Sequence, residues 1–258
     1  MTHALVALIG LAMQSPESLY RAGVEAFEKG RLEEARGSLE QALRAERSAR
    51  NAKALGVVYA AARDYAAAEP LFRDACARDS REPDACYFWA RTLYALDRFE
   101  ASLAALEKAA PVARPARIHL GRAQALEALS REAEAENEYR RAVERMGKTQ
   151  AKGDEEDATL HYGVFLIRQG RAAEAIASLH AAMERRPDSP RVSYELGRAL
   201  AHDGRLEEAR RTLNGAVRLK ADYWAAHLLL GNVNYRLGRT AEGDKHTRLA
   251  DQGSRTYK

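Results

Sequence analysis

The sequence predicts an all-α fold, an α-solenoid of tandem helix–turn–helix units, and three observations predict it. Breakers of helical apolar patterns recur with a period near 34 residues, small residues recur at fixed offsets from each breaker, and large apolar residues recur at another offset. The breakers are Gly30, Arg63, Asp97, Ser130, Gly170, Gly204 and Gly238, spaced 33, 34, 33, 40, 34 and 34 residues apart. Seven residues before them stand Gly23, Gly56, Ala90, Ala123, Gly163, Gly197 and Gly231, and five after them Ala35, Ala68, Ser102, Ala135, Ala175, Ala209 and Gly243. Nine after come Leu39, Phe72, Leu106, Tyr139, Leu179 and Leu213, with Thr247 in the seventh unit. Twelve after, every unit has alanine: Ala42, Ala75, Ala109, Ala142, Ala182, Ala216 and Ala250. Two short helices joined by a tight turn pack closely only where small side chains sit at the crossing of their axes and a large one fills the gap beside them. A single such unit cannot bury its own apolar face, so units stack.

In chain order, residues 1–14 stand apart. The uncharged run Ala4–Met13 has the length of a signal-peptide core, yet Met1, Thr2 and His3 supply no basic residue before it. It is either an export signal or an apolar cap on the first unit, and the compartment, exported or cytoplasmic, follows from that choice. Units one to seven then occupy residues 15–251. Cys76 lies late in the second helix of unit two and Cys86 opens the first helix of unit three across one turn, so antiparallel packing could bring them together. They form a disulfide if the protein is exported, or else are two small buried apolar residues. Unit three departs from the pattern with Trp89 and Ser102, and unit four puts Ser130 at its turn. The 40-residue spacing marks an insertion in Met146–Asp157, which has no large aliphatic residue after Met146 and reads as a surface loop or frayed helix end. The last unit, with Gly243, His246 and Thr247, is polar enough to be a solvated terminal cap, and residues 252–258 are expected to fray.

Composition bounds the function. With 46% hydrophobic residues and 41 Lys and Arg against 37 Asp and Glu, the chain folds and carries a net charge of only +4. Its basic residues are interspersed with acids, which disfavours nucleic acid as a partner; a nucleic-acid-binding helical array stands as the alternative. No apolar run reaches the roughly 18 to 20 residues that span a bilayer. Two cysteines exclude a disulfide framework and every multi-cysteine metal pattern.

The period and the motifs resemble the tetratricopeptide repeat, a 34-residue helix–turn–helix. The resemblance covers about residues 15–251 and is carried by runs such as Leu196-Gly197 with Gly204-Arg205-Leu206-Glu207-Glu208-Ala209, Leu213 and Ala216, and by Gly30-Arg31-Leu32-Glu33-Glu34-Ala35 with Leu39 and Ala42. The resemblance implies a right-handed solenoid of seven repeats acting as a non-catalytic scaffold or assembly factor. A partner peptide or helix would lie in the concave groove lined by the first helix of each pair. Registering the units places Tyr20, Val24, Lys53, Tyr87, Arg91, Tyr94, Gln124, Tyr194, Arg198, Asn232, Tyr235 and Arg236 on that face. Tyr and Arg suit protein recognition because they give rigid contact area and forked hydrogen bonds; the same residues could equally pack between repeats. The lysine, arginine and asparagine set by which some family members hold a C-terminal carboxylate is present only in fragments, Lys53, Arg198 and Asn232. An acidic or aromatic peptide held by Arg91, Tyr94, Tyr194 and Arg198 is the sharper expectation, with self-association open.

Other chemistry is not expected. Ala142-Val-Glu-Arg-Met-Gly147-Lys148-Thr149 fits a loose phosphate-loop pattern, but such a loop leaves a β-strand and opens a helix, whereas Ala142 sits at a helix-packing position. The histidines at 3, 119, 161, 180, 202, 227 and 246 share no helical spacing that would build a metal site. Glu132, Glu134, Glu136 and Glu138 read as a solvated surface. The sequence therefore points to no catalytic residue, cofactor or metal.

Overall fold

The computed structural model describes residues 15–82, 84–111, 114–146 and 157–256. Among these residues all regular structure is helical, in fourteen helices. The chain resolves into two compact units that meet in sequence between Ala135 and Glu136. The first holds α1 (Pro16–Glu28), α2 (Leu32–Ala45), α3 (Ala49–Ala61), α4 (Tyr65–Arg78), α5 (Ala85–Ala95), α6 (Phe99–Ala109) and α7 (Pro115–Ala128). The boundary falls within α8 (Glu132–Met146). The second unit continues with α9 (Ala158–Arg168), α10 (Ala172–Arg185), α11 (Pro190–His202), α12 (Leu206–Leu219), α13 (Trp224–Arg236) and α14 (Thr240–Thr256).

All seven breakers adopt the left-handed backbone conformation, with φ between 57° and 80°. In each turn the following residue's N–H reaches back five residues to a helix carbonyl: Arg31 to Ala26, Asp64 to Tyr59, Arg98 to Leu93, Arg131 to Leu126, Arg171 to Leu166, Arg205 to Leu200 and Arg239 to Asn234, each at 2.9 Å. This is the Schellman arrangement, which satisfies carbonyls that a helix end would otherwise leave bare. Glycine takes that conformation without cost; Arg63, Asp97 and Ser130 hold it against the usual penalty for a Cβ. Helix starts are set by Ser15, Ser48, Asp64, Asp157 and Ser189, whose side chains accept backbone N–H groups of the first turn.

The small-against-large packing is geometric fact. A Cβ placed on Gly23, Gly163 or Gly197 would lie 2.5 to 2.6 Å from Cγ of Leu39, Leu179 or Leu213, and one on Gly56 would lie 2.9 Å from the Phe72 ring. The alanines twelve residues after each breaker are all buried. Ser102 replaces the usual alanine without penalty because its hydroxyl donates to the Ala90 carbonyl at 2.8 Å. Trp89 is half-buried, and its indole N–H donates to Glu69 Oε1 at 3.0 Å.

Several expectations meet a definite outcome. Cys76 and Cys86 are joined in a disulfide, with Cα atoms 4.8 Å apart, tying α4 to α5. Met146 and Asp157 bracket the insertion, but both are buried, Met146 closing α8 and Asp157 capping α9; residues 147–156 lie outside the described residues. The apolar run within residues 1–14 also lies outside them. Helix α14 continues to Thr256 and buries Gly253 against the Trp224 indole, so residues 252–256 prolong a helix where fraying was expected. The solvated reading of the α8 acids holds for Glu134, paired with Arg131 at 2.7 Å, and is corrected for Glu138, which is buried against Arg141 at 2.9 Å.

The histidines are scattered in sequence, yet the fold brings two together. His227 Nδ1 lies 2.9 Å from His246 Nδ1, joining α13 to α14, and His227 Nε2 lies 3.1 Å from the Ala221 carbonyl. A carbonyl only accepts, so His227 carries its proton on Nε2, and its bare Nδ1 accepts from His246. This bond needs a neutral His227. Burial, then the neighbouring His227 and Lys245, hold the His246 pKa below its usual 6.5. The unfolded chain therefore binds more protons than the folded one in this range, and stability falls as pH falls. We expect the α13–α14 pair to be intact above pH 6.5 and to loosen progressively below it. Amide exchange in α14 at pH 8 and pH 5.5 checks this; equal protection at both would refute the coupling, and a His246→Gln variant should flatten the difference.

Candidate partner-binding surface

The residues registered to the inner face divide between the two units and between two kinds of environment. In the first unit, Tyr20 lies under the Arg50 guanidinium, 3.7 Å from the ring centroid, and Arg50 also pairs with Glu17 at 2.8 Å. Tyr87 repeats the arrangement: Arg117 sits 4.0 Å over its ring and pairs with Asp84 at 3.0 Å. In both cases an acid three residues before the tyrosine and an arginine thirty residues after it form a joint between first helices of successive pairs. Only 4% of Tyr87 is exposed, which corrects its placement as a ligand contact; it packs between repeats. Lys53 is partly buried and paired with Glu82. Arg91 and Tyr94 are exposed on α5, with the Tyr94 ring 5.4 Å from Phe99. Val24 and Gln124 are half-buried.

In the second unit, Asn232, Tyr235 and Arg236 are exposed on α13. Their neighbours already engage two of them: the Tyr235 hydroxyl donates to Asp244 at 2.7 Å, and Arg236 Nη1 donates to the Ala201 carbonyl near the end of α11 at 2.9 Å. Tyr194 and Arg198, by contrast, belong to a denser cluster. The Tyr194 ring lies 5.1 Å from Tyr223, and Arg198 Nη2 lies 2.9 Å from Glu195 Oε2.

Glu195 is the centre of this cluster and was not foreseen. It is 8% exposed, on the same helix face that buries Val192 and Leu196. Burial pushes its carboxyl pKa up, while Arg198, Arg191 and Arg168 pull it back down. Burial and then the Glu195 charge push Tyr223 up to about 12 and raise Tyr194 as well, so both phenols stay protonated at neutral pH and available to donate. Three arginines thus act on the Glu195 charge, Arg198 most strongly. The hydrogen bonding is incomplete. Glu195 Oε2 and Arg198 Nε are buried without a hydrogen-bond partner, since the 2.9 Å ion pair lacks hydrogen-bond alignment. Buried unsatisfied atoms of this kind are uncommon.

Arg168 and Arg191 carried a weak signal in the sequence, being arginines at the ends of first helices. Tyr223 carried none in the repeat register, because it lies in the turn between α12 and α13. Among the described residues no group of three or more His, Cys, Asp or Glu is placed to hold a metal ion, and no helix is long and apolar enough to cross a membrane. Of the phosphate-loop-like segment, Ala142–Met146 is the end of α8 with Ala142 buried, and Gly147-Lys148-Thr149 lies outside the described residues.

Comparison with known proteins agrees with this architecture. A family model described as Tetratricopeptide repeat matches residues 59–125 and 166–233, and a second of the same description matches residues 20–83. The chain is 31% identical over 105 residues to the TPR repeat-containing thioredoxin TTL4 of Arabidopsis thaliana, covering 41% of this chain and 15% of that protein. It spans only 15% to 17% of the length of the curated relatives it matches. Among solved structures, a tetratricopeptide repeat protein from Parabacteroides merdae superposes with a TM-score of 0.68 at 15% identity, covering 93% of each chain. YrrB, described as having an unusual peptide-binding site, superposes with a TM-score of 0.55 at 17% identity, covering 70% of this chain and 91% of that one.

Proposed function

Because this chain belongs to the tetratricopeptide repeat family, we propose that it works as a protein-interaction scaffold, and that the face built on α9, α11 and α13 holds an acidic segment of its partner. The observation that carries the reading is the cluster of Arg168, Arg191 and Arg198 around a single buried Glu195. Two tyrosine rings flank it, and Arg198 Nε is a donor with no hydrogen-bond partner. A carboxylate arriving there would find guanidinium forks and phenol donors in a partly desolvated setting, where charge-assisted bonds are strongest. The rings would provide contact area with little loss of rotamer freedom. The peptide-binding site of YrrB accords with this use of the fold.

The test uses fluorescein-labelled twelve-residue peptides rich in Asp, Glu and Phe, with charge-reversed Lys and Arg counterparts, titrated by anisotropy into the full chain. The acidic set should bind and the reversed set should not. Arg198→Ala should weaken the acidic set by roughly 10- to 100-fold, in the range found when an interface anchor is truncated. Arg198→Lys should recover little of it, since an ammonium cannot present the planar fork. Arg168→Ala, at an exposed position, should also weaken binding, and a circular dichroism melt verifies its folding. Equal binding of both peptide sets, or acidic binding untouched by Arg168→Ala and Arg198→Ala, would rule out this face.

A further inference from the structure

The first unit carries a cleft that has no part in the surface just described. It measures about 230 Å³ and is lined by Arg73, Cys76 and Ala77 of α4, Ser80 of the following turn, Trp89 of α5 and Lys108 of α6. Two features set it apart. One is charge: the Lys108 ammonium sits 5.3 Å from the centre of the Trp89 ring, and Arg73 stands three residues before Cys76 on the same helix. The acid behind them, Glu69, is buried and shared by Arg73 at 3.8 Å, Arg98 at 3.9 Å and the Trp89 indole N–H at 3.0 Å, so its charge is already met. The other is that the cleft wall includes half of the Cys76–Cys86 disulfide. Both cysteines belong to one buried cluster; Cys76 is 5% exposed and borders the cleft, whereas Cys86 is 1% exposed and does not line it.

We propose that this cleft admits a small anionic thiol, one that carries its own carboxylate, to the Cys76 sulfur, and that Cys76–Cys86 is thereby an exchangeable link between α4 and α5. The cleft is smaller than a typical drug-sized pocket and of a size for a compact molecule. The nucleophile in disulfide exchange is the thiolate, so a reagent with a carboxylate enters with two negative charges, which Arg73 and Lys108 attract. The thiolate attacks Cys76 Sγ, forming a new S–S bond as the protein S–S bond breaks. The bonding pair leaves on Cys86 Sγ as a thiolate, which takes a proton from water. A second thiolate then attacks the reagent sulfur of the mixed disulfide and releases Cys76 as a thiolate. Two reagent thiols are oxidised to one small disulfide, and the protein disulfide is reduced to two thiols.

The experiment compares mercaptoacetate, 2-mercaptoethanol and cysteamine, which are anionic, neutral and cationic, on the full-length protein at pH 8. Reduction is followed by Trp89 fluorescence in a Trp224→Phe background and by mass spectrometry after alkylation. Corrected for thiolate fraction and for the nucleophilicity that rises with thiol pKa, using a small-molecule disulfide as reference, mercaptoacetate should react about 10-fold or more faster than cysteamine at low ionic strength, as steering into a charged cleft allows. The advantage should shrink in 1 M salt. Arg73→Gln with Lys108→Gln should abolish it, and brief exposure to mercaptoacetate should trap the adduct on Cys76. Both substitutions are at exposed positions, and a circular dichroism melt verifies their folding. The proposal is overturned by rates that do not depend on reagent charge, or by one common rate that saturates with reagent. It is equally overturned by an adduct on Cys86, or by two free thiols in protein purified under air.

Discussion

Phe72→Ala is expected to destabilise the first unit by about 3–5 kcal/mol, the range for deleting a large aromatic from a close-packed core. Phe72 is 1% exposed on α4, and its ring lies 5.5 Å from that of Phe88. On its other side Gly56 leaves no room for collapse from that helix other than by backbone movement, because the ring fills the space where a Cβ would be. Alanine therefore leaves a void with rigid walls, the condition under which the cavity cost is largest. Phe72→Leu is the informative control. Leucine stands at the same register in the first, third, fifth and sixth units, as Leu39, Leu106, Leu179 and Leu213, so it should cost far less than alanine. Repeat arrays need not unfold in one step. The measurement is therefore urea unfolding followed by Trp89 fluorescence in a Trp224→Phe background, which reports the first unit. A midpoint unchanged by Phe72→Ala would contradict the packing described here.

Asp157→Ala is expected to destabilise the second unit by roughly 2–4 kcal/mol, combining the loss of a helix cap with the breaking of a buried ion pair. Asp157 is fully buried, and its Oδ1 accepts from the backbone N–H groups of Thr159 at 3.0 Å and Leu160 at 3.2 Å and from the Thr159 hydroxyl. Arg185 of α10 stands 3.7 Å away and also hydrogen bonds the Thr159 hydroxyl. Alanine would strand two N–H donors and a half-buried guanidinium together. Asp157→Asn keeps the cap oxygen and should lose about half as much, which separates the cap from the charge. Unfolding followed by Trp224 fluorescence in a Trp89→Phe background reads the result. Equal losses for alanine and asparagine would show that the ion pair, not the cap, carries the effect.

How much of this was legible in the sequence depends on the range of the interaction. The turns were legible because Gly30, Gly170, Gly204 and Gly238 mark a left-handed backbone at a constant period, and Arg63, Asp97 and Ser130 could be placed by that period alone. The crossing of Gly23 on Leu39 or Gly197 on Leu213 was legible for the same reason, since sixteen residues and one tight turn separate the partners in every copy. The surface was only partly legible. Register placed Tyr194 and Arg198 on the first-helix face, and both belong to the cluster around Glu195. It also placed Tyr87 on that face, and nothing local distinguishes that buried ring from the exposed Tyr94; the difference is made by Arg117, thirty residues on.

By itself, then, the sequence determined the repeat, its turns and its small-against-large seams, because these are contacts within a unit and each copy restates the same constraint. Only the tertiary structure decided that Cys76 bonds Cys86, that His227 meets His246, and that Arg168, Arg191 and Arg198 gather around Glu195. The disulfide and the arginine cluster depend on how one unit stacks on the next, the histidine pair lies within the last unit, and each occurs once, so no periodicity could announce it.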